Sequence, residues 1–157
     1  MAREDQTTVD RFVRFAEPAL DLEDVCLEIG SGPAEVSRAI ARRVRHATAL
    51  DASTERLAAG KLQADRDAIM NLTFVRGNAA ELPYVARTFT LVLVRNALGD
   101  LPDPAAVVGE LVRVSRPGAA IIIEDEVLGQ AGIVALLELA GAEVKRLSGP
   151  LVAAAAP

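Results

Sequence analysis

The chain has 157 residues and a formal net charge of −5; 51% of it is hydrophobic but only 3% aromatic. That length predicts one domain over residues 1–157 that buries roughly two-thirds of its unfolded surface, and the acidic balance with interspersed charges disfavours nucleic-acid partners. A lone cysteine, Cys26, excludes an internal disulfide, and the lack of a signal peptide or an apolar run near 18 residues predicts a cytoplasmic protein with no membrane partner.

In chain order, Gln6 to Leu20 reads as an amphipathic helix, with Val9, Phe12, Val13 and Ala16 at helical spacing and Pro18 near its end. Residues 1–20 are thus an N-terminal helical segment before a core spanning 25–157. Val25–Ile29 is the first strand. Pro33 then opens a helix that runs to about Val44, in a first-turn position that proline tolerates. Ala47–Leu50 is the second strand, and Ser53 caps a helix from Thr54 to about Ile69, although Gly60 opposes helix formation. Thr73–Arg76 is the third strand, followed by a loop and a short helix around Ala80–Leu82. Thr90–Arg95 is the fourth. Asp103-Pro104 starts a helix that ends near Ser115, and Ala119–Glu124 is the fifth strand. Gln130–Ala140 is a helix closed by Gly141, and Val144–Leu147 pairs with Leu151–Ala154 as a final hairpin.

The hydrophobic residues are mostly Val, Ile, Leu and Ala, the composition of strands covered by helices on both faces. Strand and helix alternate five times, which forces an α/β architecture with a parallel sheet and right-handed crossovers.

The stretch with most chemical content is Leu-Glu-Ile-Gly-Ser-Gly-Pro-Ala-Glu at 27–35: strand, acid, glycine turn, helix start. Asp51 ends the next strand, 21 residues after Gly30. A glycine turn lets backbone approach a ligand, and an acid at the neighbouring strand end can grip a ribose. The dinucleotide fingerprint Gly-x-Gly-x-x-Gly fails here, because its last position is Glu35. Glu28 beside the loop would repel a pyrophosphate and attract a cation. A positively charged nucleoside without phosphate fits better, and S-adenosylmethionine is the obvious candidate.

Five landmarks extend this reading: residues 27–34, Ala-Leu-Asp-Ala-Ser at 49–53, Phe-Val-Arg-Gly-Asn-Ala-Ala-Glu-Leu-Pro-Tyr at 74–84, Phe-Thr-Leu-Val-Leu-Val-Arg-Asn-Ala-Leu at 89–98, and Arg-Val-Ser-Arg-Pro-Gly-Ala-Ala-Ile-Ile-Ile-Glu-Asp at 113–125. In this order and spacing, the chain from about Val9 onward resembles a class I S-adenosylmethionine-dependent methyltransferase of the small-molecule type. The resemblance implies a Rossmann-like doubly wound sheet of seven strands in the order 3-2-1-4-5-7-6, with strand 7 antiparallel. It also implies cofactor roles by motif position. The Gly30-Ser31-Gly32 backbone passes beneath the methionine and ribose, and Glu28 orients the ammonium. Asp51 accepts the ribose hydroxyls, Ala52 covers one adenine face, Asn78 with the Ala79 amide reads the adenine edge, and the Arg95 carbonyl faces the amino-acid end. S-adenosylhomocysteine is the implied product, and no metal is implied.

Three departures stand out. Ala34 replaces the loop's third glycine, Asn78 replaces an acid, and Leu98-Gly99-Asp100 stands where many relatives carry histidines. The only histidine, His46, begins the second strand, opposite the site. The catalytic candidates are therefore acids at strand ends, Asp125 and Asp100, with Glu124 and Glu126 beside Asp125. Methyl transfer from a sulfonium is an in-line displacement driven mainly by alignment, so a strong base is not required. Only Glu126–Gln130 separates the fifth strand from its helix, which predicts an open cleft unless the N-terminal helix and a second subunit, as in a homodimer, close it. An alternative reading is a protein that binds the cofactor without methyl transfer, as a regulatory partner or a cyclisation-type enzyme. A dehydrogenase is a distant third.

Overall fold

The computed structural model describes residues 2–157, and the side chains from Gln6 onward. Its elements are α1 (Ala2–Ala16), β1 (Val25–Ile29), α2 (Glu35–Ile40), β2 (His46–Asp51), α3 (Thr54–Arg66), β3 (Leu72–Arg76) and β4 (Phe89–Arg95), then α4 (Pro104–Val114), β5 (Ser115–Glu124), α5 (Gly129–Leu139), β6 (Glu143–Ser148) and β7 (Leu151–Ala155). They form a seven-stranded sheet in the order β3-β2-β1-β4-β5-β7-β6. Pairing is parallel from β3 through β5, and β7 is antiparallel to both of its neighbours. This is the predicted order and hand of pairing.

Period-two alternation decides which face each strand residue buries. Leu27, Ile29, Val92, Val94, Ile121 and Ile123 pack with Val108 and Leu111 of α4 and Ile133 and Leu137 of α5. Cys26, Leu91, Leu93 and Ile122 pack on the other face with Val9 and Phe12 of α1 and Val36 and Ile40 of α2. All of these strand side chains are fully buried, so truncating one of the leucines or isoleucines to alanine would cost about 2–5 kcal/mol.

Several boundaries differ from expectation, each for a local reason. Instead of running over Gln6–Leu20, α1 gives way at Ala16 to a 3₁₀ turn over Glu17–Ala19, because Pro18 has no N–H to continue the α ladder. The helix expected from Pro33 to Val44 starts at Glu35 and tightens to 3₁₀ geometry at Ala41–Arg43. Ala34 is the cause at its front end, since its φ of 57° is left-handed and cannot belong to the helix. No helix forms at 80–82; Asn78 and Glu81 make an isolated bridge instead, and Asn78 Oδ1 accepts from the Ala80 amide at 2.9 Å. β5 begins at Ser115 rather than Ala119, because a bulge between the Phe89–Ser115 and Leu91–Ala120 pairs extrudes Arg116-Pro117-Gly118.

The capping residues behave as expected. Ser53 accepts from the Arg56 amide at 3.2 Å, and Asp103 accepts from the Ala106 amide at 3.0 Å. Gly60 sits inside α3 after all: a Cβ there would meet the Pro33 carbonyl oxygen at 2.5 Å, so close approach of the 30–34 loop demands glycine despite its helix cost.

Candidate active site

A cleft of about 690 Å³ opens at the carboxyl ends of β1, β2, β3 and β4, where the strand order reverses. Six of the expected residues line it: Gly30, Asp51, Ala52, Asn78, Ala79 and Asp100. Gly30 takes a φ of +61°, and a Cβ on it would lie 2.2 Å from the Ala97 Cβ. Its glycine is therefore required by packing between the β1 and β4 loops, whatever the cleft holds.

Asp51 is the organising side chain. It is buried, its Oδ2 accepts from the Gly32 amide and its Oδ1 from the Ser53 amide, each at 2.8 Å. One carboxylate thereby ties the β1 turn to the start of α3. Each oxygen uses one of its two acceptor positions, which leaves acceptor capacity on the side facing the cleft. Asn78, whose Oδ1 accepts from the Ala80 amide, offers the cleft its Nδ2 donor. Its Oδ1 keeps one further acceptor position, so both ends of the amide remain open to a ligand edge.

Five expected residues lie outside the cleft lining. Glu28 is buried, and its Oε1 accepts from the Ser37 amide at 3.0 Å and from Ser37 Oγ at 2.6 Å. Burial pushes its carboxyl up to about 7; the Ser37 bonds and the Arg95 charge oppose that rise, while Glu35 adds to it. It is thus a clamp on α2, buried behind the turn and about half ionised near pH 7. Ser31 and Gly32 hold the turn through their backbones, the Ser31 amide donating to the Leu50 carbonyl at 3.1 Å. Arg95 turns away from the cleft, where its Nη1 donates to Thr8 Oγ1 at 3.2 Å and its Nη2 lies 3.6 Å from Glu35.

The reassignment of Asp125 is the largest. It is 1% exposed and accepts four backbone amides: Leu98 and Gly99 on Oδ2 at 2.9 Å, Val127 and Leu128 on Oδ1 at 3.0 Å. With its acceptor positions filled, it splices the loop after β4 to the loop after β5 and is not available as a base. Glu124 is fully buried beneath α1, ion-paired to Arg11. Glu126 is exposed, and its amide donates to Asn96 Oδ1 at 2.9 Å. Asp100 is then the acid left at the mouth. His46 lies at the far rim, its Nε2 2.8 Å from Thr73 Oγ1.

Sequence reasoning missed Arg56 and Arg76, which line the cleft on either side of Asp51, Arg76 Nε donating to the Ala52 carbonyl at 3.4 Å. Their signal was position alone: Arg76 is the last residue of the edge strand β3, and Arg56 lies in the first turn after the capping serine. Asn96 was also missed as a lining residue. Its φ of 49° is left-handed, a conformation asparagine tolerates, and it turns the chain out of β4 beneath Ala97.

With that geometry in place, comparison with known proteins can be stated. The family model described as "Methyltransferase domain" matches residues 27–123. A ubiquinone/menaquinone biosynthesis C-methyltransferase of Agrobacterium fabrum is 31% identical over 118 residues, covering 73% of this chain and 46% of that protein. A demethylmenaquinone methyltransferase of Shouchella clausii is 33% identical over 99 residues, covering 63% of this chain and 42% of that protein. The chain thus spans less than half the length of these curated relatives. Among solved structures, a SAM-dependent methyltransferase from Aquifex aeolicus superposes with a TM-score of 0.81 at 18% identity, over 97% of this chain and 89% of that one. The [4+2]-cyclase SpnF superposes at 0.79 with 20% identity, over 87% and 58%. At those identities the superpositions speak to the fold.

Proposed function

The chain belongs to the class I S-adenosylmethionine-dependent methyltransferase family, and from that premise we propose that it transfers the methyl group of S-adenosylmethionine to a small-molecule acceptor by in-line displacement. The observation that carries this is Asp51: a buried carboxylate in the cleft, braced by two backbone amides, with acceptor positions left for a vicinal diol. The cofactor supplies an electrophilic methyl on a sulfonium sulfur; the rest is the work of this chain's residues. Asp51 accepts the ribose hydroxyls, Ala52 covers one face of the adenine, and Asn78 donates its Nδ2 proton to a ring nitrogen beside the Ala79 amide. The turn at 30–32 supports the methionine portion through its backbone. The volume suits this group, since small-molecule sites run about 300–1,000 Å³.

Alignment supplies most of the acceleration, because the leaving group departs as a neutral thioether and the nucleophile needs only a lone pair. Asp100 takes the proton that a hydroxyl or amine acceptor sheds, either directly or through solvent. The relatives named for quinone methylation support a small organic acceptor over a macromolecule. Calorimetric titration with S-adenosylmethionine, S-adenosylhomocysteine and a nicotinamide dinucleotide tests the site: the first two should bind and the third should not. Uptake of the dinucleotide alone would end this reading.

The commitment of Asp125 to four amides favours a second reading, in which the cofactor binds without methyl transfer. Release of S-adenosylhomocysteine across a panel of phenols, amines and carboxylic acids separates the two: binding with no release from any acceptor supports the second.

A further inference from the structure

A second pocket, of about 390 Å³, lies between α1 and the β6–β7 hairpin, and Arg11, Arg14, Phe15, Arg146 and Ser148 line it. It shares no residue with the cofactor cleft. Three guanidiniums converge there and no carboxylate lines it, in a chain whose overall charge is −5. Only Arg11 is neutralised, by the buried Glu124. Arg146 is positioned without an acid, its guanidinium stacked 4.1 Å from the centre of the Phe15 ring and bonded to the Phe15 carbonyl. The Arg14 guanidinium makes no hydrogen bond or ion pair with any described residue. Two cations therefore have no acid partner among the described residues, and the more deeply held one is fixed in place by the ring beneath it. Guanidinium forks pair with the two oxygens of a carboxylate or phosphate.

Strand register relates this pocket to the cleft. Arg95, Glu124 and Leu151 are direct partners across β4, β5 and β7, and Leu151 lines the second pocket. Arg146 pairs with Ala153, which pairs with Ile122, so its backbone stands three strands from β4 and two residues below the carboxyl rim, apart from the cleft.

We propose that the Arg11–Arg14–Arg146 pocket binds an oxyanion, the carboxylate or phosphate of a small organic ligand, at a site separate from the cofactor cleft. The anion site does not depend on the methyl-transfer reading.

Protein saturated with S-adenosylhomocysteine is titrated with inorganic phosphate, with benzoate, and with benzyl alcohol as the neutral control. Phosphate or benzoate should bind saturably and benzyl alcohol should not. Arg14→Gln and Arg146→Gln should each weaken the oxyanion at least tenfold, and Arg42→Gln, a basic residue elsewhere on the surface, should leave it unchanged. If Arg146→Gln fails to fold for want of its stacking contact, the exposed Arg14 decides. The preferred anion tells a phosphate from a carboxylate. No saturable oxyanion binding, or an equal loss in Arg42→Gln, overturns the proposal. The preceding titration with S-adenosylhomocysteine reads the cleft separately. Cofactor uptake without oxyanion binding sinks the pocket alone, whereas oxyanion binding without cofactor uptake upholds the pocket and sinks the transfer reading.

Discussion

Replacing Glu28 by glutamine isolates a proton that the folded chain holds and the unfolded chain does not. The side-chain oxygen that accepts from Ser37 survives the change, so the clamp on α2 remains and only the ionisation is removed. Burial raises this carboxyl from its ordinary 4.5 to about 7. A raised folded-state value means that stability is fully present below pH 4.5 and is lost as pH rises through 7. The gap, at about 1.4 kcal/mol per pH unit, amounts to about 3 kcal/mol. Below pH 4.5 the two proteins should unfold at the same urea concentration. Above pH 8 the wild type should be the less stable by about 3 kcal/mol, or about 6–12 °C in Tm for a chain of this size. Urea melts of both proteins at half-unit steps from pH 4 to 9 measure the difference, in which every other titrating group cancels. A difference that stays flat through that range would show that Glu28 is solvated in the native state, and the account of the α2 clamp would fall with it.

Three further substitutions probe the site and its supports. Asp51→Ala should weaken S-adenosylhomocysteine by about 1–3 kcal/mol in calorimetry, and should also lower stability, since the Gly32 amide loses its acceptor. Unchanged affinity would place the ribose elsewhere. Asp125→Asn halves the side chain's acceptor oxygens for four amides and should cost about 1–3 kcal/mol in thermal melts; an unaltered Tm with a reduced kcat would restore Asp125 as a reacting group. Gly60→Ala should destabilise by about 1–3 kcal/mol in urea despite the better helix propensity of alanine, because the new methyl strikes the Pro33 carbonyl. A stabilised variant would mean that the 30–34 loop yields.

The sheet was legible because five alternations force a parallel α/β arrangement and the resemblance carried by the motifs implies the strand order, and neither depends on side-chain direction. Asp51 and Gly30 were legible for the same reason, being strand-end residues whose placement is a property of the backbone. What escaped was whatever required knowing how polar groups spend their hydrogen bonds. Glu28 and Asp125 read as free charges at strand ends, but Ser37 lies nine residues beyond the first, and the Leu98 and Gly99 amides lie 27 and 26 residues before the second. Such partners emerge only when the loops are folded against one another. Ala34 read only as a departure from the loop's third glycine, but its left-handed backbone is what shortens α2. Arg56, Arg76 and the Arg14–Arg146 pair carry no periodic signal, because exposed arginines on helices and strand ends are ordinary until a cavity is seen between them.

The direction of α1 has a practical bearing on how this protein is handled. Thr8 and Arg11 meet the ends of β4 and β5, so the helix runs down from the carboxyl rim, and the residues from Ala2 to Thr8 stand about 9 Å above it. Any polypeptide spliced ahead of Ala2 would emerge beside the mouth through which ligands pass. The opposite terminus leaves the sheet by Gly118, whose amide donates to the Ala156 carbonyl at the amino edge. Affinity handles, fluorophores and immobilising linkers belong there, where they leave the entrance unobstructed.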